Sequence, residues 1–284
     1  MKRFMKVLFA TVLAAVTAFS FAACGGGNKA DELRVGMECG YQPFNYTQTD
    51  DTNGAVKISN APGYANGYDV MIAKKIAEEL GKKLVIVKYE FKALVPAVDA
   101  GTLDFVIAGM SPTAERRAVV DFSDAYYESN LVIVVRKDGA YKDAKNLDDF
   151  SGANIVAQIG TFHDAALEAQ GAAHGIVRGT PVATFPLMIN ALNNKAIDGY
   201  VAEEPGAIAD CTANPDLTYV KLINNDTGFT ATAEDVQIAV GFKKNSDIRT
   251  QVNAALAKID QSARDQMMRN AIAYATGGNV ESEE

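Results

Sequence analysis

From Leu33 onward, short apolar runs rich in β-branched residues alternate with segments whose apolar positions recur every three to four residues. Residues 33–37 read as a strand. Over 69–80, Val70, Ala73, Ile76, Ala77 and Leu80 share one helical face, and Gly81 ends it. A strand at 84–89, a short helix at 93–100 closed by Gly101, and a buried strand at 105–108 follow. Parallel neighbours need long crossovers, so this β-α-β-α-β order predicts an α/β fold with a mostly parallel sheet and right-handed connections. A second series begins near Leu131, with strands at 131–135, 154–158, 176–178, 199–202 and 218–222. Helices near 161–170, 184–193 and 205–211 separate them. Another strand falls at 236–242; then Ile248, Val252, Leu256 and Ile259 mark a helix face, and a last helix runs to about Ala275. The count makes two α/β lobes. Residues 50–67, rich in Asn, Gly, Asp and Pro, read as a long surface loop.

The N-terminus carries a different pattern. Lys2, Arg3 and Lys6 precede an apolar stretch over 7–23, and Cys24 with three glycines follows. A basic start, an apolar middle and small residues before a break make an export signal, read over 1–23. The stretch is short for a membrane span, and glycines rather than a basic flank come after it. Phe21-Ala22-Ala23-Cys24 resembles a lipobox, in which cleavage leaves Cys24 to carry lipid, and 24–30 then reads as a flexible tether. Acyl chains contribute about 0.8 kcal/mol per buried methylene, so several on one cysteine hold a protein at a membrane. Removing the signal leaves 24 basic against 35 acidic residues, a net charge of −11.

That charge argues against nucleic acid as a partner, because phosphate binding calls for clustered Lys and Arg. Two histidines and three cysteines leave little for a metal cage or a disulfide framework, and Cys39 and Cys211, 172 positions apart, are expected as free thiols. The chain contains no phosphate-binding Walker loop, dinucleotide fingerprint, His-Glu-x-x-His, Cys-x-x-Cys or Gly-x-Ser-x-Gly. No metal, cofactor or catalytic residue is expected.

Three strand ends hold the candidate chemistry. The strand at 105–108 runs into Gly109-Met110-Ser111, and Pro112 is expected to open a helix with Ser111 as its cap. A helix start presents free N–H groups to an anion, and Arg116, one turn on, can turn its planar fork to a carboxylate. The strand at 154–158 likewise runs through Gln158 and Gly160 to a helix beginning at Thr161, followed by Phe162 and His163. The strand at 199–202 ends in Glu203, an acid for a cationic group; a helix-start charge favoured by the macrodipole is the equal alternative. Glu38 ends the first strand, with Tyr41 expected to line a pocket and Phe44 to fill the core. Ligands of open α/β sheets bind at the carboxyl ends of strands, where all of these lie.

Leu33-Arg-Val-Gly-Met-Glu-Cys-Gly-Tyr41-Gln-Pro-Phe44, Gly67-Tyr-Asp-Val, Gly109-Met-Ser-Pro-Thr-Ala-Glu-Arg116 and Val120-Asp-Phe-Ser123-Asp-Ala-Tyr-Tyr127 together resemble one family over nearly all of the exported chain. It is the extracytoplasmic polar amino-acid-binding proteins of bacterial ABC importers, solute-binding protein family 3. The resemblance implies a two-lobed Venus-flytrap fold of the periplasmic-binding-protein type. Lobe one would comprise 31–128 and 236–284 and lobe two 129–235, with hinge crossings near 128–129 and 234–236. It implies a lipid-anchored, extracytoplasmic monomer that captures a free amino acid, polar or cationic by preference, and delivers it to the importer permease and its ATPase. By position, Arg116 would hold the ligand carboxylate with N–H groups at Ser111 and Thr161. Ser111 and the Gly109 carbonyl, with Glu203, would meet the ammonium; Tyr41 and Phe91 would sandwich the ligand; Glu38 and Gln158 would touch its side chain. Met110 and Phe162 complete the expected ligand-binding set.

This chain departs from the family pattern in Phe162, where a small or hydroxyl residue is usual, in Glu203 for Asp, and in the longer 50–67 insertion. The alternative reading is a cyclohexadienyl dehydratase-like enzyme on the same fold, with Glu203 or His163 as the acid. A sensory ectodomain is a third and weaker reading, since no signalling module follows.

Overall fold

The computed structural model describes residues 31–278; the expected export signal, Cys24 and the tether lie outside them. The chain begins with β1 (Glu32–Met37), β2 (Gly40–Tyr41), β3 (Asn45–Gln48), β4 (Val56–Lys57), β5 (Tyr64–Asn66), α1 (Tyr68–Glu79), β6 (Lys83–Lys88), α2 (Phe91–Asp99), β7 (Phe105–Val106), α3 (Ala114–Val119) and β8 (Val120–Glu128). It continues through β9 (Leu131–Arg136), β10 (Asn154–Val156), α4 (Phe162–Gln170), β11 (Val177–Arg178), α5 (Phe185–Asn193), β12 (Gly199–Glu203), α6 (Glu204–Ala213) and β13 (Leu217–Val220). It returns by α7 (Ala233–Val236), β14 (Gln237–Lys243), α8 (Ile248–Ala257) and α9 (Gln261–Thr276).

Two five-stranded sheets result, ordered β6-β1-β7-β14-β8 and β11-β10-β12-β9-β13. Both are mixed, each combining parallel β-α-β pairs with one reversed strand. β1 pairs with β7, and β10 with β11 and β12, in parallel, as β-α-β winding demands. β14 is antiparallel to β7 and β8, and β9 is antiparallel to β12 and β13. Each reversed strand is the one by which the chain arrives from the other sheet. The nine-residue β8 ends only two residues before β9. Its polar alternation, with Asp121, Ser123 and Asp124, hides it from a search for apolar runs. At the crossings, Ser129 N–H donates to Val236 O at 3.3 Å. Asn224 N–H donates to Asn130 Oδ1 and Leu131 N–H to Asn224 Oδ1, each at 3.2 Å, tying the two connections together.

The 50–67 stretch is not a bare loop. β4 and β5 join β3 and β2 in a four-stranded sheet, and a bridge from Ile58 to Ile86 fastens it to β6. Ile58 and Ala65 are its buried apolar positions, and Asn66 of β5 is buried with them. Gly67 caps α1 with φ of 121°, and a Cβ there would lie 2.5 Å from the Pro43 and Phe44 carbonyl oxygens. Those carbonyls accept the first N–H groups of the helix, from Tyr68 and Asp69. A glycine is therefore required before Tyr68-Asp69. Cys39 and Cys211 are both free.

Candidate functional site

Every candidate side chain stands just beyond the carboxyl end of a strand or on the first turn of the helix that follows. Glu38 follows β1, Tyr41 ends β2, Phe91 opens α2, and Gly109 to Arg116 follow β7. From the second sheet, Gln158 follows β10, Phe162 and His163 open α4, Phe185 opens α5, and Glu203 is the last residue of β12. Tyr41, Phe91, Gly109, Ser111, Arg116, Gln158, Thr161, Phe162 and Glu203 line one enclosed cavity between the sheets, together with His163 and Phe185. The cavity measures about 10 Å³, close to one water molecule. At that volume the cavity has no room for an amino acid. Larger grooves of about 670 and 630 Å³ run along the seam on either side of Phe91 and Lys92.

Arg116 bridges the lobes. Its Nη1 donates to Ser111 O at 2.7 Å and its Nη2 to Gly160 O at 2.9 Å, while the guanidinium lies 5.2 Å from the centre of the Phe91 ring. Burial lowers its pKa to about 10, so it remains a cation at neutral pH. The guanidinium thus occupies two backbone carbonyls, and charge-assisted, two-pronged bonds to a carboxylate would be stronger than these bonds to neutral acceptors. Ser111 does not cap a helix, and Pro112 does not open one. Thr113 is the cap, its hydroxyl accepting Arg116 N–H, and α3 starts at Ala114. The two extra residues let the chain turn at Gly109, where φ is +58° and a Cβ would sit 3.3 Å from the Tyr41 ring. At the second start Thr161 is the cap as expected, accepting from Asp164 N–H at 3.3 Å.

The opposite charge comes from Glu203, which is buried. Burial pushes its carboxyl up to about 8. Its Oε1 lies 3.1 Å from His163 Nε2, and burial with the nearby Arg116 charge pushes that imidazole down to about 3. With an acid raised and a base lowered, the pair is net neutral at pH 7 whichever atom carries the proton. Among the described residues, Glu203 Oε2, His163 Nδ1 and the Tyr41 hydroxyl find no hydrogen-bond partner. Glu38 lies beside the cavity, where Gln158 Nε2 bridges its Oε1 at 2.8 Å and the Ala183 carbonyl at 3.0 Å. Burial raises the Glu38 carboxyl to about 7.

Met110, like Glu38, is not part of that cavity's lining and stands at one of the adjoining grooves. It is buried in the core beside α2, and its carbonyl accepts Ala239 N–H of β14. Phe44 is core, as expected, and stacks on Tyr41 at 5.0 Å. Phe185 is the residue that sequence reasoning missed. Its ring stacks on Tyr41 across the seam, centroids 4.1 Å apart and planes 16° from parallel. The signal was present in Thr184-Phe185-Pro186, a third strand-to-helix junction of the kind already singled out twice. Among the described residues no cluster of three His, Cys, Asp or Glu is placed to hold a metal ion. No helix among them is long and apolar enough to cross a membrane.

Residues 33–270 match the family described as bacterial extracellular solute-binding proteins, family 3. The chain is 26% identical over 263 residues to the arginine-binding extracellular protein ArtP of Bacillus subtilis, covering 91% of this chain and 94% of that one. It is 28% identical over 226 residues to a probable histidine-binding protein of Campylobacter jejuni, covering 75% of this chain and 80% of that one. Among solved structures, an amino acid ABC transporter substrate-binding protein from Streptococcus pneumoniae bound to L-arginine superposes with a TM-score of 0.74 at 27% identity, covering 86% of this chain and 95% of that one. The relatives are binding proteins of transporters, and the fold is their two-lobed α/β fold. The chain belongs to the bacterial extracellular solute-binding proteins of family 3, and it is a binding protein rather than an enzyme.

Proposed function

We propose that this protein captures a free amino acid with a cationic or polar side chain, L-arginine first among them, between its lobes and presents it to the permease of an ABC importer. The observation that carries the proposal is the burial, in one interlobe cavity, of a cation from one sheet and an acid from the other, Arg116 and Glu203. A zwitterion loses its water on entering such a site, so each end needs a charge-assisted partner. Only closed lobes supply both, and ligand therefore favours closure through contacts that the open form lacks. Arg116 takes the carboxylate, aided by the Thr161 and Ser111 N–H groups, and Glu203 takes the ammonium. Tyr41, Phe91 and Phe162 surround the stem. Glu38 and Gln158 stand where the side chain ends, and a guanidinium there would restore Glu38 to its charged form. Arginine is also what the Bacillus subtilis relative is named for and what the Streptococcus pneumoniae protein holds.

In this reading 31–128 and 236–284 move as one lobe and 129–235 as the other, about the crossings near 128–129 and 234–236. The protein acts as a monomer held to the outer face of the cell membrane by lipid on Cys24. Titration calorimetry with the twenty amino acids tests the capture. L-arginine is expected to bind with 1:1 stoichiometry and to raise the melting temperature by mass action; no heat from any of the twenty overturns the proposal. Cys24→Ser is expected to release the protein from membranes, and retention after washing overturns the anchor.

A further inference from the structure

We propose that His163 is a further residue of this site: with Glu203 it holds one proton in the closed, ligand-free cleft, and the ligand's α-ammonium takes that proton's place. The inference rests on the assignment of Glu203 to the ammonium made above, and it adds a residue and a proton that the assignment does not contain.

The geometry is that of two buried titratable side chains, 3.1 Å apart, on elements of the same lobe that meet at the cavity. Each keeps one unpartnered polar atom, Glu203 Oε2 and His163 Nδ1. A naked carboxylate in that setting carries a large desolvation penalty. One proton removes it, as carboxylic acid beside neutral imidazole or as carboxylate beside imidazolium. The groups that face the pair agree with a single proton. Arg116, from the other lobe, disfavours a second positive charge on His163. On α4 the neighbouring Asp164 is taken by Arg178 at 2.9 Å, and next to Glu203 the Glu204 carboxylate is taken by Lys221 at 2.9 Å. Glu38 is bonded to Gln158.

When an ammonium arrives, it supplies the positive charge and the proton leaves to solvent. Glu203 then uses both oxygens: Oε1 keeps the neutral His163 Nε2–H, and the orphaned Oε2 receives the ammonium. Proton and ligand compete for one carboxylate. Binding should therefore strengthen as pH rises, approaching about tenfold per pH unit while the pair is protonated and levelling once it is not.

Calorimetry of L-arginine binding between pH 6 and pH 8.5, in buffers of different ionisation enthalpy, reads this directly. The expected result is affinity rising across the range, with proton release from the pair added to that from Glu38, and the pair's share, up to one proton per ligand, lost in Glu203→Gln. His163→Leu removes the donor to Glu203 Oε1, and because hydrogen bonds to a charged oxygen are the stronger ones, the midpoint should move to higher pH by about one unit. Glu38 is intact in that variant, so the shift isolates the pair. Glu203→Gln should bind weakly and without pH dependence from this source. Affinity flat from pH 6 to pH 8 with no proton released, or a profile unmoved in His163→Leu, overturns the inference and leaves amino-acid capture standing. Failure of every amino acid to bind at any pH overturns the functional proposal itself.

Discussion

At the scale of single residues, the site depends on how few groups must do opposite things. Arg116 is the only guanidinium on the cavity wall, and its two bonds to carbonyls from different lobes place it on the seam. Replacing it with alanine leaves a bound carboxylate buried without a counter-charge. The expected penalty is about 3–5 kcal/mol, a loss of several hundred-fold or more in affinity. Equilibrium binding of L-arginine to Arg116→Ala checks this, with circular dichroism to show that the fold persists; affinity within tenfold of the parent contradicts the role. The residue types were legible because a Gly-to-Arg run after a buried strand has few other uses. Their local geometry was not. Ser111-Pro112 has the form of a cap and first turn, but the cap is Thr113 and the helix begins at Ala114.

At the scale of elements, the turns that carry the site are held by a buried polar chain. Cys39 N–H donates to Asn45 Oδ1 at 2.7 Å, Asn45 Nδ2 to Asp69 Oδ2 at 2.8 Å, and the Tyr126 hydroxyl to Asp69 Oδ1 at 2.7 Å. The Gly109 N–H counters part of the rise that burial causes in the same carboxyl. One carboxyl on α1 thus joins the loop after β1, which bears Glu38, to Tyr126 of β8. Asp69→Ala strands the Asn45 amide and the Tyr126 hydroxyl away from water, at about 1–3 kcal/mol for each unsatisfied group. Urea unfolding should show a loss of about 2–4 kcal/mol in stability; a change below about 1 kcal/mol would mean that these groups find other partners. Helices and central strands were readable from periodicity because their burial is one-sided and regular, as on α1. β8 and the small sheet were not, since polar positions and two-residue pairings leave no period to detect.

For the whole molecule, the buried carboxyls set a pH dependence of known sign. Burial raises Glu38 to about 7, Asp69 to about 6, Glu203 to about 8 and Asp210 to about 7. Each folded value exceeds the ordinary one, so each group's contribution is fully present below its unfolded pKa and is lost as pH rises through the folded value. The carboxylates held low by exposed donors, Asp50, Asp121 and Asp138, act below pH 3.8, outside this window. The ligand-free protein should therefore melt highest near pH 5 and progressively lower toward pH 8, and saturating L-arginine should reduce the fall by pairing Glu203 and Glu38. Scanning calorimetry across that range decides it; a melting temperature that climbs from pH 5 to pH 8 without ligand refutes the sign.

The order of the central strands and of the helices between them, and the placement of Arg116 and Glu203 after strand ends, were determined by the sequence alone. They depend on period, on backbone sterics and on the direction in which a strand feeds a helix, which are local properties. The direction of β9 and β14, the stacking of Phe185 on Tyr41 and the meeting of His163 with Glu203 were decided only by the tertiary structure. Each joins segments separated along the chain, and no local rule says which side chains two sheets will bring face to face.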